Sequence, residues 1–415
     1  MSAALQLDSR AGTTLKQAAP VFLAFAFAYF LSALLRAVTA TLAPVFSVEL
    51  GLRAADLGLL AGAYFFGFAA MQLPLGRALD RFGPRRVLLA MLSLAVLGCL
   101  GFAAARDIGS LIAARVLIGM GVAACLMAPL TCFRSLLDAN AQLRANSWML
   151  MTGSLGMLAS TVPTQMLLPH WGWRGLFVAL AALLAVAIVL IAMQAPRGAA
   201  PASLAGPAGS YRTIMRHPAF VALAPLGFFS YGGLIAIQSL WAGPWLTEVT
   251  GWSAVESAQG LFAINLCMLF AFAGWGALMP RLARKGIGAR QLITWGLPVS
   301  MAWLVVIAIL GPAAGAAAWA CWCVLSTFVS PSQPALGQAF PAALAGRALS
   351  AFNLVIFAGV FCLQWGIGLA IDGLIAAGWS RVAAFQGAMV AFAACCIASQ
   401  VWFFRATGTN ADNGL

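Results

Sequence analysis

The sequence predicts an all-α integral membrane protein of twelve transmembrane helices, arranged as two pseudo-symmetric six-helix bundles. Three observations lead there: apolar runs of spanning length from end to end, basic residues gathered on alternate connections, and a residue pattern that repeats at an offset near 200. Charged residues make up 8% of the chain and hydrophobic ones 63%, with a mean hydropathy of +0.96. A soluble domain carries about 25% charged residues, so most of this surface is expected to face a lipid bilayer.

Crossing the hydrocarbon core takes about 20 apolar residues in a helix. Runs of that kind lie near Ala18–Pro44, Asp56–Pro74, Val87–Ala105, Ser110–Phe133, Asn146–Leu168 and Gly175–Met193. Six more follow near Ala219–Leu246, Ser257–Met279, Leu292–Pro312, Ala316–Gly337, Leu349–Ile371 and Val382–Phe404. Met1 to Gln17 is polar and the first apolar run outlasts a signal-peptide core, so that run is expected to stay in the protein.

With both termini cytoplasmic, 17 of the 23 Lys and Arg fall on the cytoplasmic side, Arg53, Arg106, Arg174 and Arg381 outside, and Arg36 and Arg115 within spans. That asymmetry is the positive-inside rule, and it points to a bacterial-type inner membrane. It also accounts for the net charge of +13 without a nucleic-acid partner. The organisation expected is a tail 1–17, a bundle 18–193, a linker 194–218 broken by Pro196, Gly198, Pro201, Gly206, Pro207 and Gly209, a bundle 219–404 and a tail 405–415. All nine cysteines sit in apolar runs, where a free Cys acts as a small buried hydrophobe.

The halves align residue on residue. Pro44 matches Pro244, Ser47 matches Thr247, Gly51 matches Gly251, Asp56 matches Glu256 and Gly76 matches Gly276; later the shift drifts, so that Arg144, Ser147 and Gly156 meet Arg347, Ser350 and Gly359. Parallel repeats with a site at their interface suit alternating access, and Gly-rich helix faces let backbones approach closely enough to slide.

Gly76-Arg77-Ala78-Leu79-Asp80-Arg81-Phe82-Gly83-Pro84-Arg85-Arg86, between the second and third spans, closely resembles the cytoplasmic signature loop of the major facilitator superfamily. The resemblance implies a transporter, and a charged latch that holds the outward-facing state, made by Gly76, Asp80, Arg81, Gly83, Arg85 and Arg86. The second half has a worn copy in which Pro280 replaces Asp80 and Ala283 replaces Gly83. Arg115 to Ala124 resembles the family's second signature, an embedded Arg followed by small residues, which gives Arg115 a gating or packing role. Gly153, Gly156 and Pro163 loosely resemble the Gly-Pro motif of the antiporter branch, but no Gly-Pro pair occurs in that span, which argues against drug antiport. The family's usual state is a monomer without cofactor.

An ionisable residue inside a span is a functional candidate by default. Arg36 lies about 12 Å inward of Pro44 at ~1.5 Å per residue. None of the ten acidic residues falls at mid-membrane: Asp8, Asp80, Asp138 and Asp412 are placed in the cytoplasm, and Glu49, Asp56, Asp107, Glu248, Glu256 and Asp372 at the outer face. A buried Arg with no facing carboxylate suits an anionic small molecule, since its fork matches carboxylate or phosphate. The bland alternatives are that Arg36 snorkels toward Glu49 and that Arg115 pairs with backbone carbonyls or Asp107. Tyr29, Ser32 and Arg36 share one helix face, and Tyr231, Gln238, Trp241 and Trp245 a stripe on the seventh span. Asn265, Asn353, Tyr64, Gln72, Gln333 and Gln364 complete the candidate lining, and Pro331 and Pro334 are expected to break the tenth span.

Proton coupling wants a titratable group in the pathway; Glu49, Asp56 and Glu248 near the outer gate are the candidates. A soft-metal reading rests on Met120, Cys125, Met127 and Cys132, sulfur ligands suited to copper(I). A non-transporting sensor or assembly factor on the same fold is the remaining alternative. No phosphate loop, paired catalytic carboxylates or nucleophile with a base points to an enzyme.

Overall fold

The computed structural model describes residues 18–137, 139–196 and 211–408. The expected tail 1–17, Asp138, linker residues 197–210 and residues 409–415 lie outside them. Among the described residues every regular element is a helix, and nine helices are long and apolar enough to cross a membrane. In chain order the α-helices are α1 (Ala19–Glu49), α2 (Ala54–Ala70), α3 (Gln72–Ala104), α4 (Ile108–Val122), α5 (Ala124–Leu136), α6 (Ala139–Ala159) and α7 (Val162–Gln194). After the short α8 (Tyr211–Met215) come α9 (Pro218–Glu248), α10 (Ala254–Arg284), α11 (Ala289–Leu310), α12 (Ala316–Ser326), α13 (Ser332–Gln338), α14 (Ala342–Ala376) and α15 (Arg381–Gly408).

Three expectations about boundaries need correcting. Spans were ended at Pro44 and Pro74, but α1 runs on to Glu49 and Pro74 sits in the first turn of α3. A first-turn proline loses no helical hydrogen bond, whereas Pro44, inside α1, gives up the bond to Ala40 and crowds that carbonyl, a cost the packing around a long buried helix offsets. The signature segment is helical up to Gly83, which turns the chain at φ 78 and ψ 160 before Pro84 restarts the helix. Only glycine adopts that conformation freely. Gly172, at φ 60 and ψ 172, divides α7 in the same way.

The seventh expected span, α9, is not uniformly α-helical. It holds π-helical turns at Leu226–Tyr231 and Ile237–Trp241, which break the 3.6-residue period that a single stripe requires. The tenth span is interrupted at Thr327–Val329, just before Pro331, where a break was expected.

The repeat is visible in what matched residues do. Gly51 and Gly251 both take positive φ, at 63° and 72°. Asp56 accepts the Arg53 N–H at 3.0 Å, and Glu256 accepts the Ser253 N–H at 2.8 Å, so each caps its own helix. Outside the matched set, each half has a long-range ion pair, Glu49 with Arg174 at 2.6 Å and Glu248 with Arg381 at 2.7 Å, although these residues do not meet at the offset of the repeat. A Cβ at Gly156 would collide with the Phe30 carbonyl, and one at Gly359 with the Phe228 carbonyl. These paired glycines seat α6 on α1 and α14 on α9.

Gly156→Val and Gly359→Val are therefore expected to destabilise the protein by about 1–3 kcal/mol each, the usual cost of overpacking. Gly76, where a Cβ meets nothing within 4 Å, is the control: Gly76→Ala should leave the melting temperature in detergent unchanged or slightly raised. Equal melting points for all three variants would show that these contacts do not hold the bundles together.

Candidate functional site

The predicted face of α1 forms one wall of a polar cluster that both halves build. The hydroxyls of Tyr29 and of Tyr64, on α2, face the Arg36 guanidinium, and the Phe68 ring lies 5.7 Å from its central carbon. Tyr231, from α9, faces Tyr29 and Arg36 across the interface with Ser330 beside its hydroxyl. Cys125, on α5, adjoins Ser32 and Arg36. Three of the four tyrosines thus converge on one cation.

Arg36 is half-buried, its Nε is buried without a hydrogen-bond partner, and it enters no ion pair among the described residues. The hydroxyls of Ser32 and Ser330 are likewise buried and unpartnered. Glu49 is taken by Arg174 and by the Trp173 indole N–H at 2.8 Å, so Arg36 does not snorkel to it. The cluster offers a surplus of donors around a fixed positive charge, and an acceptor-rich ligand is its complement.

Arg115 is placed differently. It is fully buried, donates through Nη1 to the Leu35 carbonyl at 3.0 Å, and stacks near Phe102 and Phe177 at 5.4 and 5.7 Å. It braces α1 one residue before Arg36, and Asp107 instead caps α4 through the Ser110 N–H. Of the other candidates, Gln238 donates to Asn265 at 3.0 Å and Gln333 to Asn353 at 2.9 Å. The Trp241 indole N–H is spent on the Gln364 carbonyl and that of Trp245 on the Ala314 carbonyl. Both tryptophans lie in the core of the second half, and of the predicted stripe it is Tyr231 that meets Arg36.

In the signature segment Asp80, Arg81 and Arg86 are exposed, and Asp80 makes no ion pair among the described residues. Arg81 lies over the Phe82 ring at 5.1 Å. Arg85 donates to the Ala192 carbonyl at the C-terminal end of α7, a favourable place for a cation. Sequence reasoning missed Phe68 and Cys125 as neighbours of Arg36, and Ser330 as the neighbour of Tyr231. An apolar ring, a thiol and a serine inside spans carry no signal that separates them from packing.

The family model of the Major Facilitator Superfamily matches residues 25–363. No curated protein matches the sequence. Similar solved structures include a bacterial homologue of the human lysosomal transporter Spinster, in an inward-facing and occupied conformation, at 17% identity and TM-score 0.76 over 97% of this chain and 99% of that one. The POT family transporter PepTSo is 16% identical with TM-score 0.77, covering 96% and 99%. A D-xylose–proton symporter is 14% identical with TM-score 0.73, covering 93% and 97%.

The two buried arginines should respond oppositely to removal. Arg115→Ala leaves a cavity among aromatics and is expected to cost about 2–5 kcal/mol, the range for large-to-small core changes, read as a lower melting temperature. Arg36→Ala removes a charge with no ion pair and should leave the melting temperature nearly unchanged. A large loss for Arg36→Ala with none for Arg115→Ala would reverse the assignment.

Proposed function

The chain belongs to the Major Facilitator Superfamily, and we propose that it is a secondary transporter that carries a small organic anion by alternating access between its two bundles. The reading takes twelve spans, counting α2 with the start of α3, α4 with α5, α6 with the start of α7, and α12 with α13, and breaking α3 and α7 at Gly83 and Gly172. It places 18–193 and 219–404 as the bundles, in a bacterial-type inner membrane with cytoplasmic termini. The monomeric state is carried over from the family.

The observation that carries the anion reading is the Arg36 cluster. A guanidinium held between the halves, with an unpartnered Nε and no carboxylate in reach, is completed by a carboxylate, which its fork can bind through two charge-assisted hydrogen bonds. Tyr29 adds a hydroxyl from the first half and Tyr231 one from the second, while Tyr64 gives its proton to the Ser32 carbonyl at 3.3 Å and holds its oxygen toward Arg36. A ligand that touches both halves at once favours the closed arrangement, which is how binding drives the conformational step. Ser32, Gln238, Asn265 and Asn353 extend the polar lining, and Trp241 acts by supporting Gln364. Asp80, Arg81, Arg85 and Arg86, with the turn at Gly83, serve as the latch of the opposite conformation, and Arg115 holds α1 in place.

The outer-face carboxylates are engaged: Glu49 and Glu248 in ion pairs and Asp56 as a helix cap. Proton coupling, if present, therefore runs most simply on the substrate's own carboxyl group. Copper(I) is disfavoured because Cys125, the thiol nearest the cluster, stands beside the Arg36 cation, and like charges repel.

The test is the melting temperature of purified protein against small carboxylates, phosphorylated compounds, cations and neutral solutes. A ligand at 100 times its Kd adds about 2.7 kcal/mol to the folded state, so a binding anion should raise the midpoint by several degrees. Arg36→Ala should weaken that anion roughly 10- to 100-fold, the worth of charged hydrogen bonds of about 1.5–3 kcal/mol, and Tyr64→Phe by less. Anions that stabilise Arg36→Ala as well as wild type would sink the anion reading.

A further inference from the structure

The two halves are zipped together on the face that carries the α1–α2 connection, expected to be the outer face. α2 belongs to the first half and α14 to the second, and they run antiparallel at backbone contact. A Cβ at Gly368 would collide with the backbone at Ala54, one at Gly58 with the backbone at Gln364, and one at Gly62 would press on Phe361. Each step of about one turn along α2 is answered by a turn back along α14, and the series continues inward as Phe65 stacks on Phe357 at 6.2 Å. At the outer end stands Asp372. Its carboxylate accepts the Ala55 N–H at 2.9 Å and the Ala54 N–H at 3.3 Å.

The first N–H groups of a helix have no intrahelical acceptor, and the positive end of its dipole favours a negative charge. In α2 that need is met from two sources: Asp56 of the same helix caps the Arg53 N–H, whereas the next two donors depend on a carboxylate from the other half. Glycine contacts are non-directional and can slide; the two hydrogen bonds to Asp372 fix a register and must break before the faces part. Water replaces them when they do, so the clasp biases the equilibrium without locking it.

We propose that Asp372 is a gate residue: it holds the outer face closed across the halves and sets the balance between the two conformations of the cycle. The assignment rests on the alternating-access reading above. It makes Asp372 the counterweight of Asp80, whose latch, by family resemblance, holds the outward-facing state on the other side of the membrane.

The experiment is hydrogen–deuterium exchange by mass spectrometry on the full chain in lipid nanodiscs, with no substrate added, for wild type, Asp372→Ala, Asp372→Asn and Asp80→Ala. Losing two charge-assisted hydrogen bonds should shift the ratio of conformations roughly tenfold toward outward-facing. Asp372→Ala is therefore expected to raise uptake over residues 54–62 and 361–372 and, in the same sample, to lower it over residues 76–86. Asp372→Asn keeps the shape and one acceptor, should give a smaller shift of the same sign, and stands in if Asp372→Ala does not fold. A rise confined to the first turn of α2, with no reciprocal fall, makes Asp372 only a helix cap and overturns the proposal. If Asp80→Ala gives the opposite reciprocal pattern while both Asp372 variants give none, the proposal fails and alternating access stands. If no variant gives a reciprocal pattern, alternating access falls with it.

Discussion

The rest of this structure depends on how closely helix backbones can approach. In lipid every N–H and C=O must be satisfied within the chain, which leaves helices as the building unit. It also removes the hydrophobic driving force between helices, so their association rests on packing over small residues. The chain answers with glycines whose missing side chains admit a neighbour's backbone: Gly67 against Val116 and Gly119 against Tyr64 inside the first half, Gly359 against Phe228 inside the second, and Gly58 and Gly368 between the halves. Within a half these contacts are braced from several sides. Between the halves the packing of α2 on α14 is the most extensive, with α1 on α9 and α10 on α6 and α7 beside it, and smooth backbone along such a seam is what a rocking motion needs.

Few charges are available, and their placement separates scaffold from site. The ion pairs Glu49–Arg174 and Glu248–Arg381 each tie helix ends together within one half. Exposed as they are, they contribute little stability and serve mainly to fix where helices end. Arg115 donates to a carbonyl and lies near two aromatic faces, although its Nε and Nη2 are buried without a hydrogen-bond partner. Arg36, one residue from the carbonyl that Arg115 holds, is only half-buried, faces the Tyr29 and Tyr64 hydroxyls and lies over the single ring of Phe68. What separates the two is access: Arg36 is partly exposed between the halves, whereas Arg115 is fully buried, and the anion reading proposed above rests on that difference.

Much of this was legible in the sequence. Helical spans, the repeat and the candidate Arg36 follow from hydropathy, an offset and the absence of acidic residues from spans, all of them one-dimensional signals. Where sequence reasoning went astray, the cause was local. A proline reads as a helix end, yet Pro74 sits in a first turn, where the missing N–H costs nothing, and Pro44 is accommodated inside a long packed helix. Tyr231 and Trp241 were set on one stripe because the period was taken as 3.6, and two π-turns in α9 defeat that assumption. Asp372 read as one more outer carboxylate, because which N–H groups it meets depends on α2 lying 317 residues away.

The scaffold is symmetric, and the chemistry is not. At the offset that pairs Pro44 with Pro244, the partners of Tyr29, Ser32 and Arg36 are Phe229, Gly232 and Ala236. The second half thus repeats the helix and drops each polar group, while gaining the π-turns that bring Tyr231 toward the first half. On the reading proposed above, the charge on one bundle and the Tyr231 hydroxyl reaching from the other divide the labour: the first half would hold the ligand and the second would register that it is held. Mirror-image charges on both bundles would repel across the interface and oppose closure over the site, so on that reading one arginine, with Ala236 as its counterpart in the repeat, serves the site better than a matched pair.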